Sequence, residues 1–117
     1  GRIEKGETPI EAAIRETQEE VGVTPVDPRK QAELYFVFTN GYSLHGSVFS
    51  ADTFNGEPVE TDEATPFWCK LEDIPYERMW EDDGEWLPRM LAGEQVKARF
   101  IFDGDRMKSK RIEPASF

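Results

Sequence analysis

The sequence predicts an α+β fold, a mixed α/β sandwich built around one sheet. Three observations lead there: a helix bounded by its own capping signals, a later segment whose apolar residues alternate with period two, and the element order helix, hairpin, strand, helix, hairpin. At 117 residues the chain is long enough for one domain, 1–117, with a core that requires neither disulfides nor a structural metal.

The helix comes first. Thr8-Pro9-Ile10-Glu11 combines a capping hydroxyl, proline at the first helical position and a glutamate three residues after the cap. Gly22 stands where a left-handed C-cap belongs, and Ile10, Ala13, Ile14, Thr17 and Val21 form one apolar stripe between them. Residues 24–30 carry Pro25 and Pro28 and read as a loop. Leu34 to Thr39 is aromatic and β-branched and runs into Asn40-Gly41, a hairpin turn, with 44–51 as the partner strand. Asn55 to Pro58 is a second turn, and Phe67-Trp68-Cys69 reads as a short strand. Residues 75–91 read as helix in pieces, broken around Asp82-Asp83-Gly84 and bent near Pro88, with Trp86, Leu87, Met90 and Leu91 as core residues. Val96, Ala98, Phe100 and Phe102 alternate as a half-buried strand, Asp103-Gly104-Asp105 turns the chain, and Arg106 to Ile112 returns as a more polar edge strand.

Composition removes several function classes. With 14 Lys+Arg against 24 Asp+Glu, the net charge of -10 repels nucleic-acid backbones and argues against a polymer-binding module. Apolar residues at 38% and aromatics at 12% are too abundant for a disordered acidic tail. No apolar run is long enough to span a bilayer, so no membrane role is expected. Cys69 is the sole cysteine and His45 the sole histidine, which fits a reducing, cytoplasmic setting and leaves any metal chemistry to carboxylates. Both residues are expected to have structural or solvent roles.

The outer face of the first helix is acidic. At about 100° per residue, Glu16, Glu19 and Glu20 fall within an arc of about 100°, away from the apolar stripe. All lie in the C-terminal half, where the macrodipole disfavours negative charge, and their i,i+3 and i,i+4 spacings cost a few tenths of a kcal/mol each if nothing compensates. Mg²⁺ or Mn²⁺ would compensate, since such hard ions take carboxylate oxygens and keep waters for a phosphate ligand. Arg15, one turn before Glu19, could orient that carboxylate. On the helix alone, a solvated acidic face with an Arg15 ion pair is the simpler reading.

The full spacing favours the metal. Gly1, five residues, Glu7, seven residues, Arg15-Glu16, two residues, Glu19-Glu20, one residue and Gly22-Val23 resembles the Nudix box of hydrolases acting on nucleoside diphosphates linked to another group. Thr17 departs from the aliphatic residue usual there, at a cost in packing that leaves the acidic residues untouched. The resemblance implies a Nudix fold, a mixed sheet between helices. It makes Glu16, Glu19 and Glu20 the metal-binding carboxylates, Arg15 their orienter, and Glu7 a tie between loop and helix.

The likeness continues through Gly56 to Glu63, Pro66 to Trp68, Leu71, Ile74-Pro75 and Met79 to Asp83, which resemble the oxidised purine nucleoside triphosphatases of the MutT-homologue group. It implies that Glu63 is a carboxylate outside the box that binds metal or helps activate water, that Trp80 stacks on a purine, that Asp82 and Asp83 read its edge, and that Phe36 and Phe38 line the pocket. An indole stack is worth about 1–3 kcal/mol per base. Two adjacent carboxyls in an apolar pocket do not both ionise readily, and a pair sharing a proton can donate and accept at once. Without the flanking match, Trp80 reads as a core tryptophan and Asp82-Asp83 as the cap of the helix that follows. Glu81 replaces the proline of the best-known relative and adds charge beside the pocket.

Against the family, the chain is expected to be N-terminally incomplete, lacking strands that precede the box. A polypeptide truly starting at Gly1 would expose unpaired strand edges and invite dimerisation in a family of monomers. The expected activity is hydrolysis of a small-molecule nucleotide, a triphosphate yielding monophosphate and pyrophosphate, with oxidised purines such as 8-oxo-dGTP or 2-hydroxy-dATP preferred. The alternatives are hydrolysis of another nucleoside diphosphate derivative, and a catalytically silent Nudix-fold binding module.

Overall fold

The computed structural model describes residues 2–117; Gly1, counted in the box spacing, lies outside the described residues. The chain divides into two compact units, one made of the chain up to Arg29 with Phe49–Trp68, the other of Lys30–Val48 with Cys69–Phe117.

The first unit is organised by helix α1, Pro9–Val21. Its start is the expected capping box: the Glu11 N–H donates to Thr8 Oγ1 at 3.2 Å, and the Thr8 N–H donates to Glu11 Oε1 at 2.9 Å. It stops at Gly22, left-handed at φ 80°, whose N–H donates to the Gln18 carbonyl. Ala12 is buried, while Ile10, Ala13, Ile14, Thr17 and Val21 are half-buried, so the stripe is less deeply covered than its pattern suggests. Thr17 turns its hydroxyl onto the Ala13 carbonyl at 2.7 Å, spending the departure from an aliphatic residue on a bond within the helix.

Two expectations fail in this unit. Residues 24–26 are not loop but strand β1, Thr24–Val26, paired antiparallel with β4, Thr53–Asn55. Pro25 is tolerated because a two-stranded ribbon leaves one side of each strand without a ladder to serve. Phe67-Trp68-Cys69 forms no strand, and Phe67 and Trp68 are 78% and 81% exposed. Aromatic strand propensity is realised only where a partner strand lies in register.

The second unit holds most of a four-stranded sheet in the order β3-β2-β5-β6, with β2 at Arg29–Phe38, β3 at Ser43–Ser50, β5 at Val96–Asp103 and β6 at Arg106–Pro114. The sheet is mixed, as expected: β2 runs parallel to β5, and β5 antiparallel to β6. β2 begins at Arg29, five residues before the aromatic run that announced it. The Asn40-Gly41 turn joins β2 to β3, with Gly41 at φ 94° and the Tyr42 N–H bonded to Asn40 Oδ1.

The alternation in β5 is realised in full, Val96, Ala98, Phe100 and Phe102 all being buried. They join Ala32, Leu34 and Trp86 in the core, with Phe36, Leu87 and Met90 packed against it. Trp86, Leu87 and Met90 come from helix α2, Asp83–Leu91, which runs on through Pro88. Before it, residues 76–78 form a 3₁₀ turn within the span expected to be helical in pieces, and residues 71–73 form another ahead of that span.

Candidate active site

The acidic helix is organised by Arg15. Its Nε and Nη2 donate to Glu7 Oε2 and Oε1 at 2.8 and 3.1 Å, a bidentate fork across the loop–helix junction. The same guanidinium donates to Glu19 Oε2 at 3.1 Å, to Glu16 Oε1 at 3.4 Å and to the Arg2 carbonyl at 2.9 Å. Glu7 also accepts the Glu4 N–H at 2.9 Å, so it ties the loop to the helix. Its carboxyl is held below the ordinary range, first by the Arg15 hydrogen bonds and then by that N–H. The guanidinium is held above its ordinary value, chiefly by Glu7.

One cation thus serves several carboxylates, and no basic residue stands in the last turn of α1. Among the described residues no lysine, arginine or histidine pairs with Glu20 or Glu63. The side chains available there offer carboxylate oxygen throughout, the chemistry that suits a hard divalent cation. Among the described residues no three His, Cys, Asp or Glu side chains close round a single point.

Glu63 lies on an exposed loop fastened to the end of α1. The Val59 N–H donates to the Val21 carbonyl at 2.9 Å, and the Thr61 hydroxyl donates to the Glu20 carbonyl and accepts the Glu63 N–H. These carbonyls belong to the last turn of a helix, where no intrahelical donor remains. The approach needs glycine on both sides: a Cβ on Gly22 would lie 2.7 Å from Val59 Cγ2, and one on Gly56 would lie 2.8 Å from the Gly22 carbonyl oxygen. Thr61 went unnoticed in the sequence, since nothing local marks its hydroxyl as a tie to residue 20.

The second unit contains a cavity of about 310 Å³ lined by Phe36, Phe38, Leu44, Trp80, Asp82, Asp83 and Phe102. All five pocket residues named from the sequence therefore meet in one place. Phe102 and Leu44 were not among them. The signal for Phe102 was present, as the last inward step of the β5 alternation, and Leu44 followed from its place just after the hairpin turn.

Trp80 is 52% exposed and makes one ring contact, edge-on to Phe102 at 5.5 Å and 76°. This leaves indole surface for a planar ligand, and the core reading of Trp80 fails. Asp82 is 3% exposed and occupies the N-cap position of α2, yet its side chain caps nothing. It accepts the Trp86 indole N–H at 2.9 Å instead. Burial pushes the Asp82 carboxyl up against the partial opposition of that bond, and it pushes the Asp83 carboxyl up too, with the neighbouring Asp82 charge as the second cause. The pocket thus offers apolar walls, a partly free indole and two carboxyls inclined to keep a proton. Cys69 is exposed, and His45 stacks on Tyr35 at 4.2 Å with Nε2 3.1 Å from Glu33.

A family model described as the NUDIX domain matches residues 1–90. The chain is 38% identical over 105 residues to an oxidized purine nucleoside triphosphate hydrolase of Danio rerio, covering 89% of this chain and 67% of that protein. It is 34% identical over 103 residues to a protein of the same name from Mus musculus, covering 87% and 66%. The chain therefore spans about two thirds of the length of these relatives. A crystal structure of a MutT protein from Bacillus halodurans matches with a TM-score of 0.86 at 23% identity, over 99% of this chain and 80% of that one, which shows the fold.

Proposed function

This chain belongs to the NUDIX family, and from that premise we propose that it hydrolyses purine nucleoside triphosphates to monophosphate and pyrophosphate, preferring oxidised purines such as 8-oxo-dGTP or 2-hydroxy-dATP. Family membership supports the reaction class. The substrate class is carried by one observation, the pocket in which half-exposed Trp80 accompanies two carboxyls, Asp82 and Asp83, whose proton affinity is raised.

Glu16, Glu19 and Glu20 would hold Mg²⁺ or Mn²⁺, with Glu63 as a further carboxylate. The bound cation supplies neutralisation of the phosphate oxygens and polarisation of the bond to be broken. Arg15 keeps Glu19 and Glu16 oriented along one flank of α1. A glutamate of this group accepts the proton of the attacking water, whose oxygen bonds to the β-phosphorus. The bridging oxygen departs with the monophosphate, the phosphorus named being the one the family resemblance implies. In the pocket, Phe36, Phe38 and Trp80 enclose the purine faces. A carboxyl that retains its proton at Asp82 or Asp83 can donate to an oxidised base while its neighbour accepts. A lone exposed cysteine suits a reducing, cytoplasmic setting. No helix among the described residues is long and apolar enough to cross a membrane.

The test is product analysis. With Mg²⁺ the protein should convert 8-oxo-dGTP to 8-oxo-dGMP and pyrophosphate faster than it attacks dGTP or an ADP-sugar, and a chelator should stop all three. Faster attack on the ADP-sugar would transfer the assignment to nucleoside diphosphate derivatives. Calorimetric binding of the nucleotide without product would mark a silent binding module.

A further inference from the structure

We infer that Glu81 is a positioning residue for base selection, clipping the Trp80–Asp82 segment to the start of β6 and so fixing the tilt of the Trp80 indole over the pocket. The inference rests on the reading of Trp80 as the surface on which the base stacks.

Burial does not hold Trp80 in place. Its ring is half-exposed, and Phe102 touches it from one edge only. The next residue supplies the anchor. Glu81 Oε1 accepts the Met107 backbone N–H at 3.2 Å and lies 3.6 Å from Arg106 Nε. Met107 is the register partner of Phe102, the pocket residue that Trp80 contacts, and the β5–β6 ladder shifts register between Ile101 and Phe102. β6 is the edge strand of its sheet, so its outward N–H groups have no ladder partner and need another acceptor, which a carboxylate can supply.

The clip and the edge contact therefore act on the same step of the sheet. On the other side of Glu81, Asp82 is anchored to Trp86. Two fixed points, Glu81 on Met107 and Asp82 on Trp86, thus follow Trp80 directly along the chain. Trp80 also walls a second, polar hollow of about 350 Å³ with Arg78, Met79, Glu81, Asp105 and Arg106. With the clip released, the ring has that open space to swing into.

The acceptor matters more than the charge. The Arg106 contact is exposed and screened by salt, whereas the Met107 N–H has the directed geometry of a hydrogen bond. Glu81→Ala should raise KM for 8-oxo-dGTP and weaken calorimetric binding of 8-oxo-dGMP roughly three- to tenfold, the worth of one modest hydrogen bond. The kcat should change much less than KM. Glu81→Gln keeps an acceptor oxygen and should restore both quantities to within about twofold of the parent, an outcome general loosening of the loop does not give. Glu81→Lys, which has no acceptor, stands in for the alanine variant should that fail to fold. Trp80→Ala is measured alongside. If it weakens 8-oxo-dGMP binding while Glu81→Ala and Glu81→Lys bind like the parent, or if Glu81→Gln is no better than Glu81→Ala, the positioning role is overturned and the stacking role stands. If Trp80→Ala itself binds 8-oxo-dGMP like the parent, the stacking reading falls.

Discussion

Gly22→Ala strikes the junction on which the acidic helix and the Glu63 loop depend, and its cost can be worked from two separate causes. Gly22 sits at φ 80°, a conformation costing an L-residue about 1–2 kcal/mol. The added methyl would also lie 2.7 Å from Val59 Cγ2, well inside the ~3.5–4.0 Å of a comfortable carbon contact. Overpacking of this kind costs about 1–3 kcal/mol, and the low end applies because Val59 is 49% exposed and can yield. The total is about 2–3 kcal/mol, or roughly 8–12 °C in Tm for a chain of this size. Thermal and urea unfolding followed by circular dichroism would measure it. Val59→Ala alone should cost under about 0.5 kcal/mol. Added to Gly22→Ala, it should recover about 1 kcal/mol, the steric share, and leave the backbone share untouched. Hydrolysis should follow, with kcat falling about tenfold in Gly22→Ala as the Glu63 loop is pushed away, and partly returning in the double variant. Gly56→Ala has no such rescue, because its methyl would meet the Gly22 carbonyl at 2.8 Å and backbone cannot rotate aside. A Gly22→Ala loss below about 1 kcal/mol, or no recovery from Val59→Ala, would refute the close approach as the reason for glycine here.

The pocket yields two further expectations. Burial raises the Asp82 carboxyl in the folded state, so its ionisation opposes folding. The associated stability is full below the unfolded value, about pH 3.9, and is lost as pH climbs through the folded value. Asp82→Asn should therefore gain stability relative to the parent as pH rises from 3 to 7, by about 1.4 kcal/mol for each pKa unit of displacement; a pH-independent difference in unfolding midpoints would contradict this. Trp80→Ala should raise KM for 8-oxo-dGTP by roughly tenfold or more while changing KM for an ADP-sugar far less, and equal losses on both would remove the base-stacking role.

How much was legible in the sequence follows how local each determinant is. Helix α1 was readable to its end residues because its cap, its proline and its terminal glycine are neighbours along the chain. Strand β5 was readable because period-two burial needs no knowledge of partners. Residues 24–26 and 67–69 were misread for the opposite reason, since strand formation is decided by a partner elsewhere: Pro25 found one in Phe54, whereas Phe67 and Trp68 found none. Asp82 shows the same limit at the level of one side chain. Its position reads as a helix cap, and the indole of Trp86, one turn on, takes the carboxylate instead. The candidate residues were named from a fixed spacing and from the likeness that continues beyond it, while supports such as Thr61 on the Glu20 carbonyl and Glu81 on Met107 are tertiary and leave no local mark.

The claim beneath all of this is that the acidic flank of α1 holds divalent cations for phosphate chemistry. Its most direct test is the turnover of 8-oxo-dGTP with Mg²⁺ by Glu20→Gln, a change that removes one charge and keeps the shape of the side chain. The account predicts a fall in kcat of orders of magnitude with folding intact. Turnover equal to the parent's would contradict it.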